Sequence, residues 1–80
     1  MLTLKVISPE KIIFTGEVES VTVPGTLGEF EVLDGHAPLI SSLEKGTVVY
    51  KPVRGERAQL AIRGGFVEVQ KNQISLCVEL

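Results

Sequence analysis

The sequence predicts an all-β domain, a flattened antiparallel β-sandwich or barrel, on three observations. Glycine or proline recurs so often before Gly65 that no clear stretch there exceeds eight residues, which leaves no room for ordinary helices of about 11 residues. The longer clear stretch, Phe66 to Leu80, has the strand period: Ile74, Leu76, Val78 and Leu80 fall on one face, Ser75, Cys77 and Glu79 on the other. Turn signals recur about every 10 residues, the spacing of a sandwich of short strands.

The same alternation recurs along the chain. Leu2, Leu4 and Val6 alternate with Thr3 and Lys5, Val21 and Val23 with Ser20 and Thr22, and Ala58, Leu60 and Ile62 with Gln59 and Ala61, so each run has one apolar face. Between them lie the breakers Ser8-Pro9, Gly16, Pro24-Gly25, Asp34-Gly35, Lys45-Gly46, Arg54-Gly55, Gly64-Gly65 and Lys71-Asn72. Thr47 to Tyr50 and Ala58 to Ile62 flank Lys51-Pro52-Val53-Arg54-Gly55-Glu56-Arg57, a hairpin with a charged tip. Gly64-Gly65 leads into Phe66-Val67-Glu68-Val69 and reads as architecture, since glycine pairs permit positive φ and close backbone approach. No linker, low-complexity segment or internal repeat divides the chain, so residues 1–80 read as one domain.

Composition narrows the function classes. A chain of 80 residues buries only about 60 to 65% of its unfolded surface, so its stability margin is small. With 44% apolar and 22% charged residues it is of globular type. Eight basic against ten acidic residues leave a net charge of −2, too little positive field to hold nucleic acid or an anionic lipid surface. No apolar run nears the roughly 20 residues that span a bilayer, and the start lacks the layout of a signal peptide. The expectation is a soluble, cytoplasmic protein with no direct membrane insertion. Cys77 is the single cysteine, so neither an internal disulfide nor a multi-thiolate zinc site can form, and it reads as a small strand residue.

The segment from Pro24 to Leu43 holds the residues most suited to contact. It places Glu29, Glu31, the only aspartate, Asp34, and the only histidine, His36, among three glycines and two prolines. Glu29 and Glu31, two apart in a strand, share one face, while Phe30 and Val32 turn to the core. The carboxylates are either solubilising or a docking edge for a basic or amide-rich partner. His36 is either a turn residue bonded to a nearby carbonyl or a contact group. Beyond Pro38, the apolar Leu39, Ile40 and Leu43 form an interface if they are exposed.

Other chemistries find little footing. A triad would have to use His36 with Asp34, and the chain has no Gly-x-Ser-x-Gly elbow. Gly25-Thr26-Leu27-Gly28 is not a phosphate cradle, because a strand with two carboxylates follows it instead of a helix with a lysine. No cofactor, metal or small-molecule substrate is expected. A free-standing β-sandwich that binds protein or ligand through Gly25 to His36, and a small hydrolase centred on His36, stand as alternative readings.

The ordered set Val6-Ile7-Ser8-Pro9-Glu10-Lys11, Phe14-Thr15-Gly16-Glu17-Val18, Gly28-Glu29, Gly35-His36-Ala37-Pro38-Leu39, Gly46 and Gly64-Gly65-Phe66-Val67-Glu68-Val69 resembles the amino-terminal domain of the epsilon subunit of rotary ATP synthases. The mitochondrial counterpart of that subunit is named delta. The resemblance spans almost the whole chain. It implies a sandwich of about ten short strands at the foot of the central stalk, a non-catalytic rotor part between the gamma subunit and the polar loops of the c ring. It also implies a peripheral position on the cytoplasmic face of the inner (plasma) membrane.

By the same resemblance the c-ring contact falls on Gly25, Thr26, Leu27, Gly28, Glu29, Phe30 and Glu31, with Glu29 at the usual acidic position. The gamma-facing positions fall on Ser8, His36 and Ser41, with Leu39 in the neighbouring strip. Glu31 stands where the family commonly has glycine, and Lys45 where proline is frequent. Family members often carry a carboxy-terminal helical hairpin; this sequence stops at Val78-Glu79-Leu80, so hairpin-type inhibition of hydrolysis is not expected of it.

Overall fold

A computed structural model describes residues 1–80. The chain forms eight strands: β1 (Leu2–Ile7), β2 (Ile12–Gly25), β3 (Gly28–Val32), β4 (Leu39–Leu43), β5 (Gly46–Pro52), β6 (Ala58–Ile62), β7 (Gly64–Gln70) and β8 (Gln73–Glu79). The all-β expectation holds, with eight strands in place of about ten. Gly16, read as a turn, lies inside a single 14-residue strand, opposite Leu4 of β1, which merges two expected strands into one.

That long strand joins two layers. Its first half pairs with β1, and its second half pairs with β3 on one side and β5 on the other. Between Val18 and Ser20 the register to β5 slips by one residue: Val18 faces Pro52 and Ser20 faces Lys51. An extra residue in one strand reverses the inward face. Val18 and Ser20 are buried on one phase of the strand and Val21 and Val23 on the other, so the inward face changes at this bulge. The predicted alternation of Val21 and Val23 against Ser20 is therefore broken at Ser20, which is only 9% exposed. A bulge of this kind lets one strand pass from one sheet of a sandwich to the other.

One layer runs β1-β8-β7-β4 and the other β3-β2-β5-β6; they meet along β2 and at the Gly25 to Leu43 pairing. One pair departs from the antiparallel expectation, since β1 and β8 run parallel, Leu4 opposite Ile74 and Val6 opposite Leu76. A parallel pair needs a long crossover between its strands, and here the rest of the domain supplies it. Sixteen buried apolar side chains form the core, among them Leu4, Val6, Val23, Val48, Val67 and Leu76 at 0% exposure. Each such side chain contributes about 1.5 to 3 kcal/mol on burial. Leu80, expected on the inward face, lies past the end of β8 and is half exposed.

The turn between β7 and β8 is Lys71-Asn72, both with positive φ, 51° and 60°. Two residues with φ above zero match the right-handed twist of the strands that they join, and asparagine tolerates that region well. Phe66 to Leu80 is thus two strands folded on a tight hairpin.

Candidate functional site

Gly25 pairs with Gly28, so the β2–β3 hairpin closes over only Thr26 and Leu27. Gly25 itself is buried, and a Cβ there would sit 2.8 Å from both Gly28 O and a Phe30 ring carbon. Its part is to let the hairpin close, and the accessible surface is that of its neighbours. Leu27 at the tip is fully exposed. Glu29, opposite Pro24, and Glu31, opposite Thr22, are exposed on the outer face, while Phe30 packs against the core and Val32 enters it. That orientation is the one expected from their spacing.

The hairpin is held from below. Thr26 N–H donates to Ser42 O at 3.1 Å and Glu44 N–H to Pro24 O at 2.9 Å. Thr26 Oγ1 and Ser42 Oγ are 2.9 Å apart. An apolar tip and two carboxylates are thus carried on a platform fixed to β4.

His36 stands beside this platform in the β3–β4 connection. Its N–H donates to Leu33 O at 3.1 Å, and its ring lies 6.5 Å from that of Phe30. Nδ1 is 2.7 Å from Ala37 O. A carbonyl only accepts, so Nδ1 is the donor in this contact. Asp34 does not orient the imidazole: its Oδ1 accepts from Asn72 Nδ2 and its Oδ2 lies 3.4 Å from the Met1 ammonium. The bond that a hydrolytic triad needs between carboxylate and imidazole is thus replaced by bonds to other groups.

The hairpin and the loop meet. Leu27 to Phe30 form one side of an open depression of about 450 Å³, and His36, Leu39, Ile40 and Ser41 form the other. Residues expected to face two different partners therefore border one concavity. Leu43 belongs to the core, Leu39 packs against it, and Ile40 is 75% exposed, so β4 offers chiefly Ile40 to solvent.

Ser8 lies elsewhere, at the end of β1, in a second depression of about 290 Å³ with Ile7, Phe66 and Cys77. Ile7, Cys77, Phe66 and Ser42 are successive partners across β1, β8, β7 and β4. An apolar band thus runs from Ser8 toward β4. Phe66, 50% exposed, is the surface residue that the sequence reading passed over. Its signal was present: with Val67 and Val69 inward, a residue at position 66 must point out.

A family model described as "ATP synthase, Delta/Epsilon chain, beta-sandwich domain" matches residues 1–80. The chain belongs to this family. Among its relatives, an ATP synthase epsilon chain of Leptospira interrogans is 44% identical over 79 residues, 98% of this chain and 61% of the relative. That of Desulfatibacillum aliphaticivorans is 40% identical over 78 residues, 98% of this chain and 55% of the relative. This delta/epsilon-type domain thus spans less than two thirds of the length of those relatives.

Solved structures agree in shape. A chain of the Euglena gracilis mitochondrial ATP synthase, OSCP/F1/c-ring, superposes with a TM-score of 0.88 at 25% identity, covering 96% of this domain and 49% of that chain. A chain of the Tetrahymena thermophila mitochondrial ATP synthase, central stalk/c-ring, gives 0.82 at 16% identity, covering 99% and 63%, a likeness of fold.

Proposed function

We propose that the domain is a non-catalytic part of the ATP synthase rotor, coupling the gamma subunit to the c ring during proton-driven ATP synthesis. It sits peripherally on the cytoplasmic face of the inner membrane. The exposed hairpin residues Thr26, Leu27, Gly28 and Glu29, with Glu31, meet the polar loops of the ring, while Ser8, His36, Leu39 and Ser41 face gamma. Gly25 and Phe30 support the hairpin from beneath.

The observation that carries this reading is the hairpin itself: a fully exposed Leu27 beside exposed carboxylates, on a strand pair tied to β4. Carboxylates on a rim set register and make charge-assisted bonds to basic or amide groups. An exposed leucine adds apolar contact at the centre of such a patch. Close packing makes the body behind them stiff, so torque passes through with little stored strain.

A pull-down with the gamma subunit tests the reading. Retention of the domain by gamma, reduced by a carboxylate in place of the imidazole (His36→Glu), is the expected result. Failure of the unmodified domain to associate with gamma, alone or in the presence of the ring, overturns it.

A further inference from the structure

Asn72 reaches three separate parts of the fold. Its backbone carbonyl accepts from Thr3 N–H of β1 at 2.9 Å. Its side-chain carbonyl accepts from Gly35 N–H at 2.8 Å, and its side-chain amide donates to Asp34 Oδ1 at 2.5 Å. The partners are 37 and 38 residues away in sequence. Asn72 holds φ at 60° in the two-residue turn between β7 and β8, and this aims its carboxamide at the β3–β4 loop.

The loop has few other ties, among them the Met1 ammonium 3.4 Å from Asp34 Oδ2. From Leu33 to Pro38 it is outside any strand, with one internal backbone bond, His36 N–H to Leu33 O. Both groups that Asn72 binds immediately precede His36. The Gly35 N–H only donates and the Asp34 carboxylate only accepts, so a carboxamide, with one acceptor and one donor side, satisfies both at once.

We infer that Asn72 is a positioning residue: its carboxamide fixes the Asp34-Gly35-His36 loop and so sets where the His36 imidazole stands in the docking surface. The functional part rests on the proposal above that His36 meets gamma. The positioning itself does not.

The donor–acceptor pattern can be exchanged, which makes the idea testable in the 80-residue chain. Asn72→Gly keeps a residue suited to positive φ while deleting both side-chain bonds. Asn72→Asp still accepts from Gly35 but sets a second carboxylate against Asp34. Asp34→Asn combined with Asn72→Asp restores the pair with the roles swapped, and aspartate also tolerates this backbone region. The measurements are hydrogen exchange of the Gly35 amide, the NMR signals of the His36 ring, and affinity for the isolated gamma subunit.

Gly35 exchange should speed up roughly tenfold in Asn72→Gly, with gamma affinity falling roughly threefold to tenfold, as loss of one or two net hydrogen bonds implies. Asn72→Asp should be at least as impaired, and the exchanged double variant should return near the unmodified values. Unchanged Gly35 exchange and His36 signals in Asn72→Gly, or a double variant no better than Asn72→Asp, would overturn the positioning role. Absence of gamma binding by the unmodified chain would overturn the stalk reading alone, leaving exchange and rescue to decide the clamp.

Discussion

Thr26 at the hairpin tip and Ser42 in β4 share two bonds, Thr26 N–H to Ser42 O at 3.1 Å and hydroxyl to hydroxyl at 2.9 Å. The pair fastens the hairpin that carries the fully exposed Leu27 to the strand that borders the neighbouring depression. Thr26→Val keeps the shape and the backbone bond but removes the hydroxyl. The hydroxyls are exposed, so the expected cost is about 0.5 kcal/mol, the low end for a net hydrogen bond. Urea unfolding measures it; a loss above about 2 kcal/mol would mean that the hydroxyl does more than anchor the tip.

Glu29 projects from the same hairpin on its outer face. Glu29→Lys should leave folding within about 0.5 kcal/mol, as surface changes do, yet reduce proton-coupled ATP synthesis in the assembled enzyme. Synthesis at the unmodified rate, with normal assembly, would argue against a ring contact at this position.

Leu27 and Leu76 separate contact from stability. Leu27 is fully exposed, whereas Leu76 has 0% exposure in the core. Leu76→Ala should cost about 2 to 5 kcal/mol, a large share of the roughly 4 to 12 kcal/mol that a chain of this length commands. Leu27→Ala should shift stability by no more than about 0.5 kcal/mol while weakening association with the ring. Parallel thermal melts and binding measurements compare the two, and an equal loss of stability would contradict the burial difference.

Gly65 has φ of +147°, and a Cβ there would run into Cys77 O and Val78 Cα of the neighbouring strand. The obstruction is backbone, so a side chain cannot swing clear. Gly65→Ala should destabilise the domain by roughly 2 to 4 kcal/mol through strain and displaced pairing. A melting temperature within about 4 °C of the unmodified chain would show that β7 and β8 shift apart cheaply.

The strands most legible in the sequence are those where pairing keeps one face inward throughout. β1, β6 and β8 show this, because Leu2, Leu4 and Val6, then Ile62, and Ile74, Leu76 and Val78 stay in the core. β2 escaped because the slip at Val18 and Ser20 reverses its period midway, and Gly16, a breaker by composition, is held in the strand by β1. The outward set of Glu29 and Glu31 followed from spacing alone. Burial of Gly25 and the distance of Ser8 from His36 did not, since both depend on which strands become neighbours. The Asn72 contacts were hidden for the same reason: Asp34 and Gly35 lie far from Asn72 in the chain, and only the turn geometry brings them together.

The pairing of β1 with β8 reaches past this site to the timing of folding. Leu4 finds Ile74 only after seventy residues have followed it, within an 80-residue chain. A nascent chain whose β8 has not yet emerged leaves one flank of β1 bare. Completion of this body must wait for β8 to emerge from the ribosome, and with so distant a partnership it proceeds over about milliseconds to seconds.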